Sequence, residues 1–373
     1  MEKKLLSLDE IYNLDISKTK AFYSDFLNIN QSKMLSKFSY GRDKFIKAEG
    51  VYLYTDSGKK ILDFSGGIGV LNHGHNNQAI LDARIDFQNN KRMEVHKTVF
   101  SPYMAGLAHN IAQLLPKNLC KSFFCNSGSE SVEGAIKAAY KFHNSERKYI
   151  LHSDISFHGK TIVAGSISGA LDQSIFPRIN NTKSFKYNDK ESVETLINDL
   201  KNENGESNIY ALIIETFNNA SLRECSDEFM EFLRKITERN KIILIFDEVY
   251  TGWGKTGYLF HFFKYKNISP DILCTSKSLG GGKSSISAYT VDKFIYKQVY
   301  ENYNDAFLHT STYNGFGEEC ITAVVAINEL IENKLVENSK NNGVLISTKL
   351  DDLKTRFPKY ISDVKGIGSI QGI

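Results

Sequence analysis

Between about residue 75 and residue 290, the chain alternates between stretches with helical hydrophobic spacing and short runs that are apolar throughout. Apolar residues recur at helical intervals in residues 129–143, and the segment from Phe229 to Ile236 follows the i, i+3, i+4, i+7 pattern of an amphipathic helix. Continuous apolar runs are typical of strands that helices cover on both faces. These runs occupy residues 149–151, 211–214, 242–246 and 272–274. The pattern predicts an α/β fold in which helices sandwich a mostly parallel central sheet.

The two ends of the chain follow a different pattern. Residues 1 to about 45 predict a helical arm, and residues 51–54 and 61–64 predict a short hairpin around the turn Asp56-Ser57-Gly58. Toward the C-terminus, two further helices are predicted at residues 318–333 and 343–353.

The composition argues against several classes of protein. The chain has 46 Lys and Arg against 43 Asp and Glu, spread along its length, so we expect neither a nucleic-acid nor a membrane partner. No apolar run approaches the roughly 20 residues of a membrane-spanning helix, and the first residues lack the apolar stretch of a signal peptide. The five cysteines form no C-x-x-C pair, which favours reduced thiols. We therefore expect a cytoplasmic protein.

Ligands of open parallel sheets bind where the carboxyl ends of the strands meet, so the residues after each predicted strand matter most. Ser127, Gly128 and Ser129 form a turn that opens a predicted helix, and helix N-termini bind anions such as phosphate. Taken alone, the same turn could be an ordinary serine N-cap. The polar residues 309–313 could bind the same phosphate or simply cap the helix that follows.

Two ionisable residues follow buried strands. Asp247 ends an apolar run, where a carboxylate is costly unless it meets a positive partner such as a protonated pyridine nitrogen. Lys277 lies just beyond another apolar run, where a desolvated lysine can become the nucleophile that forms a Schiff base. Taken singly, each could equally be a loop-capping aspartate or a solvated lysine.

Taken together, these segments resemble the class III aminotransferases, a family of fold-type I enzymes that depend on pyridoxal 5'-phosphate (PLP). The resemblance runs from about residue 45 to the end of the chain and is closest in wording to the putrescine (diamine) aminotransferase branch. The motifs that carry it occupy residues 123–137, 156–160, 245–257, 270–277 and 307–313. The spacing of 30 residues between Asp247 and Lys277 also fits the family.

The resemblance implies a role for each matching residue. Lys277 would hold PLP and act as general base and acid, and Asp247 would keep the pyridine nitrogen protonated. The cofactor would be bound by Ser127, Gly128, Ser129, Phe157, His158, Glu215, Asp247, Val249, Lys277 and Thr312. Phe157 and Val249 would stack on the two faces of the ring. Thr312 would reach the phosphate of a neighbouring subunit, which implies a homodimer.

The family also implies a domain organisation. We expect an N-terminal arm and small-domain hairpin in residues 1–75 and a large PLP-binding domain in residues 76–315. Residues 316–373 would form a linking helix and the start of a smaller α+β domain. We expect that domain to be truncated at its C-terminal end, because relatives continue for a substantial stretch.

The implied reaction is the transfer of an amino group from a primary amine or ω-amino donor to a 2-oxo acid such as 2-oxoglutarate. The substrate side departs from the family: Glu215 is followed by residues 216–221 without the usual second glutamate, Tyr250 replaces a glutamine and Lys255 replaces an arginine. These changes leave open an aminomutase or decarboxylase of the same family. A degenerate PLP-fold protein that binds or assembles with a partner is a further alternative.

Three other motifs suggest different ligands. The run from Gly252 to Gly257 fits the dinucleotide fingerprint G-x-G-x-x-G, but five residues separate it from the preceding strand. Gly282, Lys283 and Ser284 resemble the end of a P-loop, yet Lys277 occupies the position where that motif needs its first glycine. His73 and His75 have no third ligand nearby in sequence, so we expect a structural role and no metal.

Overall fold

The computed structural model describes residues 5–172, 174–175 and 177–373. By compactness the chain divides into two units, one containing the residues up to Ser65 together with Gly74–Asn76. The second unit contains Gly66–His73 and Asn77–Ile373. The functional division expected at residues 75 and 315 remains a prediction.

The first unit consists of short helices followed by a small antiparallel sheet. Its helices are Leu8–Tyr12, Ile16–Phe22, a π-helical turn Tyr23–Asn28, Ile29–Leu35 and a 3₁₀ turn Ser39–Arg42. Its strands are β1 (Phe45–Glu49), β2 (Tyr52–Thr55) and β3 (Lys60–Leu62), paired in the order β1-β2-β3. The expected hairpin is therefore present, and β1 extends it. β1 was not predicted because four of its five residues are exposed and leave no buried pattern.

The second unit is organised around a seven-stranded sheet. The strands of the second unit are β4 (Leu119–Cys125), β5 (Tyr149–Ser153), β6 (Thr182–Phe185), β7 (Ile209–Ile214), β8 (Phe217–Asn218), β9 (Arg223–Glu224), β10 (Ile243–Asp247), β11 (Ile272–Thr275), β12 (Ser287–Asp292), β13 (Lys365–Ile367) and β14 (Ile370–Gly372). Seven of them form the central sheet, in the order β4-β12-β11-β10-β7-β5-β6. Neighbours from β6 to β11 pair in parallel, whereas β12 is antiparallel to both β11 and β4. The mostly parallel sheet predicted from the apolar runs is confirmed.

Helices cover both faces of this sheet. The α-helices of the second unit are Gln78–Asn89, Pro102–Leu114, Gly128–Phe142, Ile162–Ser166, Lys190–Asp199, Asp227–Arg239, Lys293–Val299, Gly317–Glu332 and Leu335–Arg356. Leu212 and Leu244 pack into one hydrophobic cluster with Phe229, and their strand neighbours Ala211 and Ile245 pack into a second cluster with Val132. Each central strand is thus apolar on both faces, which explains its continuous hydrophobic run.

Some elements differ from the sequence expectation. β12 contains two buried polar residues, Ser287 and Thr290. Hydrogen bonds satisfy both side chains: Ser287 Oγ donates to the carbonyl of Ser127 (2.7 Å), and Thr290 Oγ1 pairs with Ser122 Oγ (2.8 Å). One partner lies on β4 and the other caps the helix Gly128–Phe142, so neither can be read from the sequence and the strand lacked an apolar signal. The last helix is also longer than expected, spanning Leu335–Arg356. Within the described ranges, no helix is both long and apolar enough to cross a membrane.

Candidate active site

The ionisable residues singled out in the sequence follow strands that lie side by side. β5, β7, β10 and β11 are parallel neighbours, so their carboxyl ends meet at one edge of the sheet. Asp247 ends β10, Glu215 follows β7 directly, and Lys277 begins a 3₁₀ turn just beyond β11. The segment after β5 contributes Phe157 and His158. The edge is where an α/β protein of this kind binds its ligand.

The Asp247 carboxylate is buried, with about 5% of the residue exposed, and each oxygen has a donor. His158 Nδ1 lies 2.7 Å from Oδ2, and the backbone N–H of Val249 donates to Oδ1 at 2.9 Å. The backbone N–H of His158 is itself held by Ser168 Oγ at 2.8 Å. Among the described residues, Nε2 of this buried histidine has no hydrogen-bond partner. The contacts fix the orientation of the carboxylate and leave lone pairs for a further donor.

Glu215 is a second buried carboxylate in the same cluster. Its Oε2 accepts hydrogen bonds from the backbone N–H of Phe157 (2.9 Å) and from Asn218 Nδ2 (2.7 Å). Burial raises the pKa of this carboxyl to about 7; the neighbouring His158 opposes the rise and Asp247 adds to it. Glu215 can therefore exchange a proton near neutral pH.

Lys277 is partly buried beside these carboxylates. Burial lowers the pKa of its ammonium, and the negative charges of Asp247 and Glu215 partly offset that effect. A larger fraction of the neutral amine makes this lysine a better nucleophile than a solvated one. Its backbone φ is +48°, a left-handed conformation that the turn Lys277–Gly280 imposes on a non-glycine residue.

The expected phosphate site is the start of a long helix. The helix Gly128–Phe142 follows β4, and its N-cap Ser127 accepts a hydrogen bond on Oγ from the backbone N–H of Glu130 (3.3 Å). Such a helix directs its first amides and the positive end of its dipole at an incoming anion. Val249 packs over this turn, since a Cβ at Gly128 would lie only 2.7 Å from its Cγ1. The start of the helix Gly128–Phe142 and the end of β10 at Asp247 therefore border one site.

The polar segment before the helix Gly317–Glu332 is attached to the same junction. His309 Nε2 lies 2.8 Å from the carbonyl oxygen of Glu130, and Asn126 Nδ2 donates to Ser311 Oγ at 2.8 Å. Asn314 Nδ2 donates to the carbonyl of Phe124 at 2.9 Å. Thr312, between these anchors, is exposed and makes none of these contacts.

The structure therefore brings most of the expected residues together, with Thr312 facing outward. The sequence gives no signal for Asn218, which holds Glu215, and it marks Tyr250 and Lys255 as departures from the family without placing them near Lys277. The last two did carry a signal, because both replace the residue that the resembling family has at that position. The chemistry of the donors fits PLP, since an anion site, a buried carboxylate and a nucleophilic lysine match its phosphate, ring nitrogen and aldehyde.

Comparison with known proteins agrees with this chemistry. A sequence profile of the class-III aminotransferases matches residues 42–373. The chain is 33% identical over 357 residues to acetylornithine aminotransferase of Clostridium acetobutylicum, covering 92% of this chain and 86% of that protein.

Solved structures share the fold. An (S)-enantioselective omega-transaminase from Thermomicrobium roseum superimposes with a TM-score of 0.84 at 24% identity, covering 98% of this chain and 84% of the other. A PLP-bound amine transaminase from an uncultivated Pseudomonas species gives a TM-score of 0.80 at 21% identity, covering 87% and 79%. The chain belongs to the class III aminotransferase family and is a PLP-dependent aminotransferase of fold type I.

Proposed function

We propose that this aminotransferase takes the amino group of a primary amine or ω-amino donor and passes it to a 2-oxo acid such as 2-oxoglutarate. The observation that carries the proposal is the set of charges around Lys277: the carboxyl groups of Asp247 and Glu215 act on it, and burial lowers the pKa of the nearby Lys255 ammonium to about 7. A negative environment favours a substrate that brings an ammonium group without an adjacent carboxylate. The relatives named as an omega-transaminase and an amine transaminase support the same donor class.

In this proposal, the start of the helix Gly128–Phe142 binds the PLP phosphate through Ser127, Gly128 and Ser129. Phe157 and Val249 would cover the two faces of the ring, while Asp247, oriented by His158, would keep a proton on the pyridine nitrogen. Bound PLP supplies an electron-withdrawing ring that stabilises negative charge on the carbon next to the transferred amino group.

Lys277 holds the cofactor and then moves the proton. Burial lowers the pKa of its ammonium and so raises the fraction of neutral Nζ, the form that can accept a proton from the donor carbon and return it at the next step. Glu215 lies close enough to act on the charge of this lysine, and its own pKa of about 7 allows it to hold a proton in turn. Asn218 keeps Glu215 in place and also donates to the carbonyl of Ile155 (2.9 Å).

We also propose a homodimer in which Thr312 reaches the phosphate bound by the other subunit. Support comes from its exposure and from the large apolar residues on either side, Phe307 and Tyr313, which are exposed as well. Apolar side chains of this size on a surface commonly mark an interface.

The five free cysteines, four of them buried, support a cytoplasmic location.

The donor is identified by a half-reaction without an acceptor. The purified enzyme is loaded with PLP and mixed in turn with putrescine, a longer diamine, an ω-amino acid and an α-amino acid. We expect the visible absorption of the bound cofactor to disappear with a diamine or ω-amino acid and the matching aldehyde to be released, after which 2-oxoglutarate restores the absorption.

Products distinguish this reaction from its alternatives. Release of carbon dioxide or a rearranged amine without any acceptor would contradict the proposal in favour of a decarboxylase or an aminomutase. Conversion by α-amino acids alone would contradict the proposed donor class. Lys277→Ala serves as the matched control, because none of the donors should remove the visible absorption of its cofactor.

A further inference from the structure

A tyrosine ring lies directly beside the amino group of Lys277. Tyr250 follows Asp247 by three residues, and Lys277 Nζ is 4.2 Å from the centroid of its ring. The face of an aromatic ring attracts an ammonium within about 6 Å, most strongly where water is excluded. Both side chains are partly buried, so this ring stabilises the charged form of the lysine.

The position of the ring depends on a glycine. Gly66–Gly69 form a left-handed turn, and Gly69 has a φ of +81°. A Cβ at Gly69 would lie 2.7 Å from Cε2 of Tyr250, so a side chain there would displace the ring. The carbonyl of Gly69 accepts a hydrogen bond from Ser278 Oγ (3.1 Å), the residue that follows Lys277. One backbone turn thus supports both the ring and the lysine.

A second lysine contacts the same ring. Lys255 Nζ lies 5.3 Å from the Tyr250 centroid and donates hydrogen bonds to the carbonyl of Gly69 (2.7 Å) and to Asn72 Oδ1 (2.5 Å). Both acceptors are neutral. Burial, and then the charge of Lys277, lower the pKa of Lys255 to about 7. A cation so close to a reacting amine disfavours a second positive charge.

We propose that Tyr250 is a positioning residue for Lys277: its ring holds the ammonium form of that side chain between proton transfers, and Lys255 limits the charge that accumulates there. The proposal rests on the proposed role of Lys277 as the cofactor lysine. The other charged groups that act on Lys277, Asp247 and Glu215, are common to all the variants compared below.

The test measures how fast the apoenzyme captures PLP as a function of pH. Samples between about pH 6 and about pH 10 are quenched with borohydride, and the modified Lys277 peptide is quantified by mass spectrometry. Only the neutral amine reacts, so the midpoint of the profile reports the pKa of Lys277. The readout does not depend on turnover.

Two pairs of variants separate the ring from the second charge. Tyr250→Phe keeps the ring and should keep the wild-type midpoint, whereas Tyr250→Leu should lower it by about half a unit to one unit. Lys255→Arg stays charged over the whole pH range and should lower the midpoint, whereas Lys255→Met removes the charge and should raise it. If Tyr250→Leu does not fold, Tyr250→Gln removes the ring and should give the same downward shift.

Coincident midpoints for Tyr250→Leu and Tyr250→Phe, with PLP still captured on Lys277, would overturn this proposal and leave the proposed function standing. Failure of the wild-type protein to capture PLP on Lys277 would overturn the role of that lysine and this proposal with it.

Discussion

The carboxylate of Asp247 has two protein donors, His158 Nδ1 and the N–H of Val249, and both hold it in a buried position at the end of β10. A carboxylate held in this way is already oriented before any partner arrives, so it stabilises a nearby positive charge without reorganisation. Its charge, rather than its shape, is the property that the proposed role requires.

Asp247→Asn tests this distinction, since the amide keeps the shape and loses the charge. We expect the variant to fold and bind PLP but to slow the donor half-reaction by about a hundredfold to a thousandfold. Single-turnover absorption with the identified donor measures the rate. His158→Gln is the matched control and should lose less, because the charge remains. A loss under about tenfold for Asp247→Asn would contradict the role.

At the scale of elements, Glu248, the residue after Asp247, has a structural role. Glu248 accepts hydrogen bonds from the backbone N–H groups of His261 (2.6 Å) and Phe262 (2.7 Å) and from Thr251 Oγ1 (3.2 Å). It therefore ties the 3₁₀ turn His261–Lys264 to the end of β10. Burial raises its pKa from 4.5 to about 7, and the backbone donors oppose the rise.

This raised pKa predicts a pH dependence of stability. The folded state binds the Glu248 proton more tightly than the unfolded state, so the contribution is complete below about pH 4.5 and is lost as the pH rises through about 7. From about pH 5 to about pH 8, the unfolding free energy of the wild type should fall further than that of Glu248→Gln, by up to about 3 kcal/mol. Urea unfolding of both proteins at the two pH values measures the difference. Parallel pH profiles would contradict the raised pKa.

Local pattern was enough to predict the central strands and the residues at their ends. β7 and β10 are buried on both faces, and Asp247 and Lys277 stood out as ionisable residues after apolar runs. The surroundings of Lys255 could not be predicted in that way. Its acceptor Asn72 is 183 residues distant in sequence and reaches it through the left-handed turn Gly66–Gly69. β12 was missed for the same reason, because its buried serine and threonine find their partners on other elements.

At the scale of the whole molecule, the proposed dimer predicts which residues share a site. Thr312 is held by its neighbours against the helix Gly128–Phe142 of its own chain, yet its own side chain is exposed. If it serves the partner's phosphate, a defect in Thr312 and a defect in Lys277 of the same chain affect different sites.

Mixed dimers test that arrangement. A dimer of one Lys277→Ala chain and one Thr312→Ala chain should contain one intact site and recover about half of the wild-type activity per dimer, with PLP affinity at that site unchanged. Each variant alone provides the control, with no activity for Lys277→Ala and weakened PLP binding for Thr312→Ala. A mixed dimer whose remaining site binds PLP as weakly as Thr312→Ala would indicate that Thr312 acts within its own chain.

Borohydride reduction of the PLP-loaded protein, followed by peptide mass spectrometry, identifies directly the residue that holds the cofactor. We expect one modified residue, Lys277, and prior treatment with the amine donor should abolish the modification by converting the cofactor to its amino form. PLP on Lys255 or another lysine, or no modification at all, would contradict the assignment of Lys277 as the residue that holds the cofactor.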